Sequence, residues 1–203
     1  MSEQFAIDQF LDCRRGWDLS SRTQLGRHER TVGLLSGILS KALGLDADFC
    51  HRIERSAALH DIGKVYINPE ILNKQGPLSA EELRIVRQHP TAGYLHIQAI
   101  DRSGQLQLAA EIALDHHEHW NGHGYPFGKA GEEISLAGRI AAICDVYAAL
   151  REQRPYKRGL SHAEAAAKIV AGSGTQFDPE IVQSFCTIEH LIEAALEVRL
   201  AAA

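Results

Sequence analysis

Apolar residues recur along most of the chain with the spacing of an amphipathic helix. Leu34, Leu35, Ile38, Leu39, Ala42 and Leu43 form one stripe, and Gly44 closes it as a C-cap. A second helix starts near Asp46, carries Phe49, Cys50, Ile53, Ala57 and Leu59 on its buried side, and runs out at His60-Asp61-Ile62-Gly63. Ser79-Ala80-Glu81-Glu82 is a capping box, and the helix it opens is expected to end before His89-Pro90. Leu106 to His117 is again helical, and residues 118–135, with five glycines and prolines, form an irregular loop. A strongly apolar helix follows from Leu136 to Leu150. Ser161-His162-Ala163-Glu164 is a second capping box, opening a helix to Ala171. Asp178-Pro179 reads as N-cap and first residue of another helix, and a last amphipathic helix spans Ile188 to Leu200. Its stripe of Leu191, Ile192, Ala195 and Leu196 faces either the core or another subunit. No pair of alternating strands occurs. The expected fold is all-α, a single compact helical bundle over 23–203, preceded by a short helical extension over 1–22 that carries Phe5, Ile7, Phe10 and Leu11.

Composition narrows the function classes. A chain of 203 residues can bury a proper core without disulfides. Its net charge of -5 argues against a broad basic face for DNA or RNA. No apolar run is long enough to span a bilayer, and the N-terminus lacks a basic region followed by an apolar one, so neither a membrane anchor nor a signal peptide is expected. Cys13, Cys50, Cys144 and Cys186 are scattered without a CxxC pair, which reads as buried thiols in a reducing cytoplasm. No separate sensor module is apparent, so the chain is either a stand-alone protein or an excised domain. A homodimer or a sensor or GGDEF-type partner is compatible with either.

Histidine is the unusual residue: there are 11, four of them between 116 and 123. His60-Asp61 alone could be a capping Asp beside a surface His. However, His28, His89, His116, His117 and Asp145 also lie near helix ends or on apolar helices. Asp145 interrupts the core-facing run Ile140-Ala141-Ala142-Ile143-Cys144, and a buried carboxylate needs a compensating charge or a metal. Imidazole and carboxylate donors without thiolate suit Fe, Mn, Zn, Ni or Co. His28, His60, Asp61 and Asp145 suffice for one ion. His89, His116 and His117 are then available for a second, with Asp61 bridging the pair. Two ions ~3.5–4 Å apart are the usual device for splitting a phosphodiester.

The run His60-Asp61-Ile62-Gly63-Lys64, the later His89-Pro90, and above all His116-His117-Glu118-His119-Trp120-Asn121-Gly122-His123-Gly124-Tyr125-Pro126 resemble the HD-GYP subgroup of the HD metal-dependent phosphohydrolases. The resemblance covers roughly residues 25–188. It implies an all-helical fold, a bi- or trinuclear Fe or Mn centre, and hydrolysis of the bacterial messenger cyclic di-GMP to pGpG and often GMP. It also implies the ligand set His28, His60, Asp61, His89, His116, His117 and Asp145, which agrees with the set reached from the chemistry.

Lys64 lies one turn beyond His60, so it can face the same site, where Asp61 and Lys64 would be the catalytic pair. Residues 151–158 hold four basic residues against one Glu. The family's phosphate-contacting run points there to Arg154 and Lys157 for substrate, beside Lys64 and the signature Tyr125. Trp120 is read as a loop anchor, His119 and His123 as peripheral, and Glu118 as a partner that orients an imidazole. Two departures stand out. Gln24 occupies the place, four residues before His28, of a Glu that helps hold a third ion, so two ions are expected. Ala148 follows Asp145-Val146-Tyr147, where the family often has Asp. The readings that compete with a cyclic di-GMP phosphodiesterase are a non-catalytic cyclic dinucleotide receptor and a phosphohydrolase for another cyclic dinucleotide.

Overall fold

The computed structural model describes residues 22–153 and 158–201. Helix α1 (Arg22–Ala42) buries Val32, Leu35 and Leu39. It ends as a Schellman turn: the Gly44 and Leu45 amides donate to the Lys41 and Ser40 carbonyls at 3.0 and 3.2 Å. Helix α2 (Ala47–Ser56) starts where the Asp46 side chain accepts from the Phe49 amide, and it buries Cys50 and Ile53. The chain then tightens into short 3-10 turns over Ala57–Leu59 and Ile62–Tyr66, with His60 and Asp61 between them. The Asp46 start and the break at His60 are as expected.

Helix α3 (Pro69–Leu72) is a single turn not among the expected helices, opened by Asn68 as N-cap and Pro69 in the first turn. Helix α4 (Ala80–Val86) opens on the Ser79/Glu82 capping box. The expectation that helix ends before His89-Pro90 holds for α4, but His89 itself begins a new helix, α5 (His89–Ile100). Pro90 falls in its first turn, where no intrahelical amide is needed, so the proline starts a helix as well as following one. Helix α6 (Gln107–Asp115) leads into the signature loop. Helix α7 (Leu136–Arg151) is capped by Ser135, whose side chain accepts from the Gly138 amide, and α8 (His162–Ala171) by the Ser161/Glu164 box. A second correction concerns the C-terminal part. The two helices expected after Asp178 are one, α9 (Pro179–Ala201), because Phe185 and Ile188 continue the buried stripe through the supposed gap.

Among the described residues there are no β-strands, only isolated bridges at Asn121–Ala130 and Ser173–Phe177, and the fold is all-α. Helix α1 packs on α2, α7 and α9, α5 packs on α6 and on the turn over Ile62–Tyr66, and α6 on α7. The main core joins Leu35, Leu39, Ile53, Ile112, Ile140, Ile143, Tyr147 and Phe185. Each such side chain contributes about 1.5–3 kcal/mol by leaving water. A smaller core of Leu59, Ile62, Ile97, Leu106 and Ala110 lies under α5 and α6. Ile192 and Leu196 belong to the main core, with Ala195 against it, while Leu191 is exposed, so the C-terminal stripe packs on its own chain. Cys50 and Cys144 are buried as expected, but Cys186 is exposed. No described helix is long and apolar enough to cross a membrane. Apart from Arg22, the extension over 1–22 lies outside the described residues, as do Cys13, Arg154 and Lys157 and the side chain of Gln24.

Candidate metal centre

The seven histidines and aspartates singled out above come from five places in the chain and meet around Asp61. His28 comes from α1 and Asp145 from α7. His60 and Asp61 come from the turn between α2 and α3, His89 from the first turn of α5, and His116 and His117 from the end of α6. One contact lets the His60-Asp61 turn and α5 close up. A Cβ on Gly63 would stand 1.9 Å from the His89 carbonyl oxygen, so only glycine permits this approach.

Asp61 is the centre of the arrangement. Its Oδ1 lies 3.2 Å from His89 Nε2 and 3.8 Å from His116 Nε2. Its Oδ2 lies 3.3 Å from His60 Nε2 and 2.5 Å from Lys64 Nζ. Donor atoms of Asp61, His89, His116 and His117 fall within 4.8 Å of one another, as do those of His28, His60 and Asp61. Asp145 joins the second group, with its Oδ1 2.9 Å from His28 Nε2 and 3.7 Å from His60 Nε2.

The imidazoles are held so that Nε2 faces inward. A carbonyl only accepts, so Nδ1 carries the hydrogen where it meets one. His60 Nδ1 donates to Ala57 O at 2.8 Å, His89 Nδ1 to Val86 O at 2.7 Å, and His116 Nδ1 to Ile112 O and Ala113 O at 3.0 and 3.1 Å. The turns that end α2, α4 and α6 supply these carbonyls; those of Ala57 and Ile112 also accept the His60 and His116 amides, so the imidazole uses a second lone pair. His28 differs: its Nδ1 meets Glu152 Oε1 at 3.0 Å.

Two buried atoms here, His60 Nε2 and Asp61 Oδ1, have no hydrogen-bond partner. Leaving such atoms unpaired costs roughly 1–3 kcal/mol each. A cation held among inward-facing Nε2 and carboxylate oxygens would satisfy both, so the residues present fit divalent ions on either side of Asp61.

The electrostatics differ across the site. Burial opposes charge on His28, but hydrogen bonds and charge from Asp145 and Glu152 outweigh it and raise its pKa to about 10. His60 is raised against burial by Asp61 and Asp145. By contrast, burial lowers His116, and burial with the charge of His116 pushes His117 down to about 2. Burial would raise Asp61 and Asp145, yet the facing cations hold both well below the usual carboxylate range.

The signature loop forms one wall. The Tyr125 ring stacks on His117, with centroids 4.7 Å apart and planes at 21°, and its amide donates to the His117 carbonyl at 3.1 Å. Arg87 holds its guanidinium 5.2 Å above the Tyr125 ring centre. Trp120 anchors the loop, its amide donating to Gln176 O at 3.1 Å while Arg139 covers the ring. Gly122 takes positive φ, and Gly124 approaches the His119 amide within the loop.

Glu118 does not orient an imidazole, contrary to expectation. Its carboxylate accepts from the Phe127 and Lys129 amides at 2.7 and 3.1 Å, closing the loop on itself and touching no imidazole. Lys64 does reach the centre. Asp115, Arg87 and Glu152 carry no role in the sequence reading. Asp115 is buried and accepts from Lys129 Nζ and the Ser135 amide at 2.7 and 2.9 Å, fixing α7 to the end of α6. Glu152 stands out in the sequence only as the acid within a basic run. Its place seven residues after Asp145, two turns along one helix, is the available signal.

Comparison with known proteins agrees with this geometry. A family model described as HD domain matches residues 19–181. A cyclic di-GMP phosphodiesterase of Thermotoga maritima is 43% identical over 163 residues, which are 80% of this chain and 44% of that protein. The 3'3'-cGAMP-specific phosphodiesterase 2 of Vibrio cholerae is 36% identical over 162 residues, 79% of this chain and 30% of that protein. The chain thus spans less than half the length of these curated relatives. A protein from Bdellovibrio bacteriovorus described as an HDG"Y"P protein has the same fold, with a TM-score of 0.65 at 24% identity over 81% of this chain and 52% of that one. The chain belongs to the HD-domain family, and its signature from His116 to Pro126 places it in the HD-GYP subgroup.

Proposed function

We propose that the chain is a metal-dependent phosphodiesterase that opens cyclic di-GMP to pGpG, with GMP as a further product, in bacterial second-messenger signalling in the cytoplasm. The observation that carries this reading is Asp61, whose two oxygens face two separate groups of inward-turned imidazoles. Two divalent ions, Fe or Mn, held by His28, His60, Asp61 and Asp145 on one side and Asp61, His89, His116 and His117 on the other, would supply an activated water and positive charge for the phosphoryl oxygens.

The chain's own groups complete the site. Because pGpG carries its terminal phosphate on the 5' side, the bond broken is the one from phosphorus to the 3' oxygen. Lys64 Nζ lies on Asp61 Oδ2, at the entrance to the buried carboxylate, where a phosphoryl oxygen would meet it. Tyr125, stacked on His117, offers a flat wall beside the phosphate path. Arg154 and Lys157 would hold the second phosphate, Arg as a fork and Lys as a point charge. The relative specific for 3'3'-cGAMP supports a second reading, in which the same site takes a mixed guanine–adenine ring.

The test is anaerobic purification, metal analysis, and chromatography of products from cyclic di-GMP and from 3'3'-cGAMP. Linear pGpG formed by Fe- or Mn-loaded protein supports the proposal. Tight binding of either dinucleotide without cleavage overturns it in favour of a receptor.

A further inference from the structure

We propose that Glu152 is a positioning residue for His28, and that it tunes the affinity of the ion held on the Asp145 side. The inference deepens the functional reading above, since it assumes that His28 is a ligand.

His60, His89 and His116 are each oriented by neutral carbonyls of the turn that precedes them. His28 has no such carbonyl. It sits inside α1, where the backbone carbonyls near it serve the helix ladder. A carboxylate from another element takes their place: Glu152 Oε1 lies 3.0 Å from His28 Nδ1, and Asp145 Oδ1 lies 2.9 Å from His28 Nε2. Both acids belong to α7 and its C-cap, so the ring is gripped at its two nitrogens by one element. Its tilt is thereby fixed by the α1–α7 packing.

The chemical consequence follows from the charge of the partner. A carboxylate that accepts from Nδ1–H pushes electron density into the ring and makes Nε2 a stronger donor than a carbonyl would. Glu152 also bears on the alanine at 148. Its amide donates to the Ala148 carbonyl at 3.0 Å, so it lies one turn farther along the same face of α7. A long side chain one turn on can bring a carboxylate toward α1, which the alanine methyl cannot. The Glu152 side chain is 25% exposed, and His28 is its sole ion-pair partner among the described residues.

The experiment measures Mn(II) binding to the metal-stripped full chain by chelator competition, for wild type, Glu152→Gln, Glu152→Asp and Glu152→Ala. Glu197→Gln is the control, because Glu197 pairs with the neighbouring Arg151 away from the site. Helix content by circular dichroism checks folding, and Glu152→Gln keeps an acceptor of the same shape if the alanine variant fails to fold. One of the two binding steps should weaken by about 10-fold or more in Glu152→Gln and further in Glu152→Ala, the scale for losing such a partner. The other step should be unchanged, and the absorption bands of the Co(II)-loaded protein should shift. Unchanged isotherms in Glu152→Gln overturn the proposal. So does equal weakening by Glu197→Gln. Loss of one whole equivalent at saturating Mn(II), with the rest unaltered, overturns it by making Glu152 a ligand itself. If wild type takes up Mn(II) but leaves cyclic di-GMP intact, the functional reading fails while the isotherms still decide the role of Glu152. A chain that binds no Mn(II) overturns both.

Discussion

On one side of Asp61, His28 and His60 lie among carboxylates. On the other, His89, His116 and His117 face each other, and Asp61 is the acid whose donor atom joins theirs. The first group pairs internally: Asp145 and Glu152 hold both nitrogens of His28, and the pKa of that ring rises to about 10. The second group is short of negative charge. Its rings crowd one another, with centroids 4.1 Å apart for His116 and His117, 4.9 Å for His89 and His117 and 5.4 Å for His89 and His116, and His117 is driven down to about 2. Charge on the same residue type is therefore favoured at His28 and His60 and disfavoured at His116 and His117. The cause is where the acids sit. Helix α7 and its C-cap bring carboxylates into hydrogen-bond contact with His28 on the side that meets α1, while at His117 Asp145 acts through its charge alone. The contrast teaches that the two halves are chemically unequal before any ion arrives, and that Asp61 alone belongs to both.

The largest effect should come from removing that shared residue. Asp61→Ala should lower metal content on both sides together and reduce turnover by at least about 10²–10³-fold, the scale for losing a principal charge-stabilising group. Metal analysis and product chromatography on the same preparation check this. Full metal occupancy with near-normal rate would show that Asp61 does not join the halves.

A pair of substitutions then asks whether the halves are separable. His28→Ala should cost the ion on the acid-rich side and leave close to one equivalent per chain. His117→Ala should cost the ion on the imidazole side and leave the other. In both, the rate should fall by more than the metal affinity, since two ions act on one phosphate. Titration with Mn(II) separates the outcomes. If either variant loses both ions, the centre is one cooperative unit and the comparison above has no functional meaning.

Local signals are legible in the sequence where a residue acts on its own neighbours. Ser79, Ser161 and Asp46 cap the helices they announce, and Gly44 ends α1, because these bonds close within three or four residues. The seven candidate ligands are legible because an imidazole or carboxylate on an apolar helix is costly to bury unless a charge or a metal compensates it. Longer-range bonds are not legible in the same way. Glu118, expected to serve an imidazole, instead closes a loop over nine to eleven residues, which spacing alone does not reveal. Glu152 reaches across 124 residues to His28. His89-Pro90 reads as a stop because proline ends helices more visibly than it begins them, although in the first turn it does the latter.

Smaller effects should come from the expected substrate contacts Arg154 and Lys157, which are not among the candidate ligands. Arg154→Ala and Lys157→Ala should keep full metal content and lose affinity or rate by roughly 1–3 kcal/mol each, the value of a hydrogen bond to a charged group. Steady-state kinetics on metal-loaded variants measures this. Metal loss in either would make the basic run structural.

The smallest expected effect concerns Arg87, which stands over the imidazole half as Glu152 stands over the acidic one. It is exposed, lies two residues before His89, and places its guanidinium 5.2 Å from the centre of the Tyr125 ring. It forms no salt bridge among the described residues, so its charge remains available to an anionic ligand on the Tyr125 wall. The ring contact itself is worth about 0.5–1 kcal/mol at an exposed site. A dinucleotide seated there would gain a similar amount from the free cation. Arg87→Ala should therefore raise KM for the dinucleotide by about 2–5-fold, the equivalent of that energy, and leave kcat and metal content near wild type. Arg87→Lys should recover part of the loss, because the charge returns without the flat stacking plane. A fall in kcat at constant KM, or loss of the ion on the His117 side, would instead mean that Arg87 braces Tyr125 against His117, and the imidazole half would then have a positioning cation opposite the positioning carboxylate of the other.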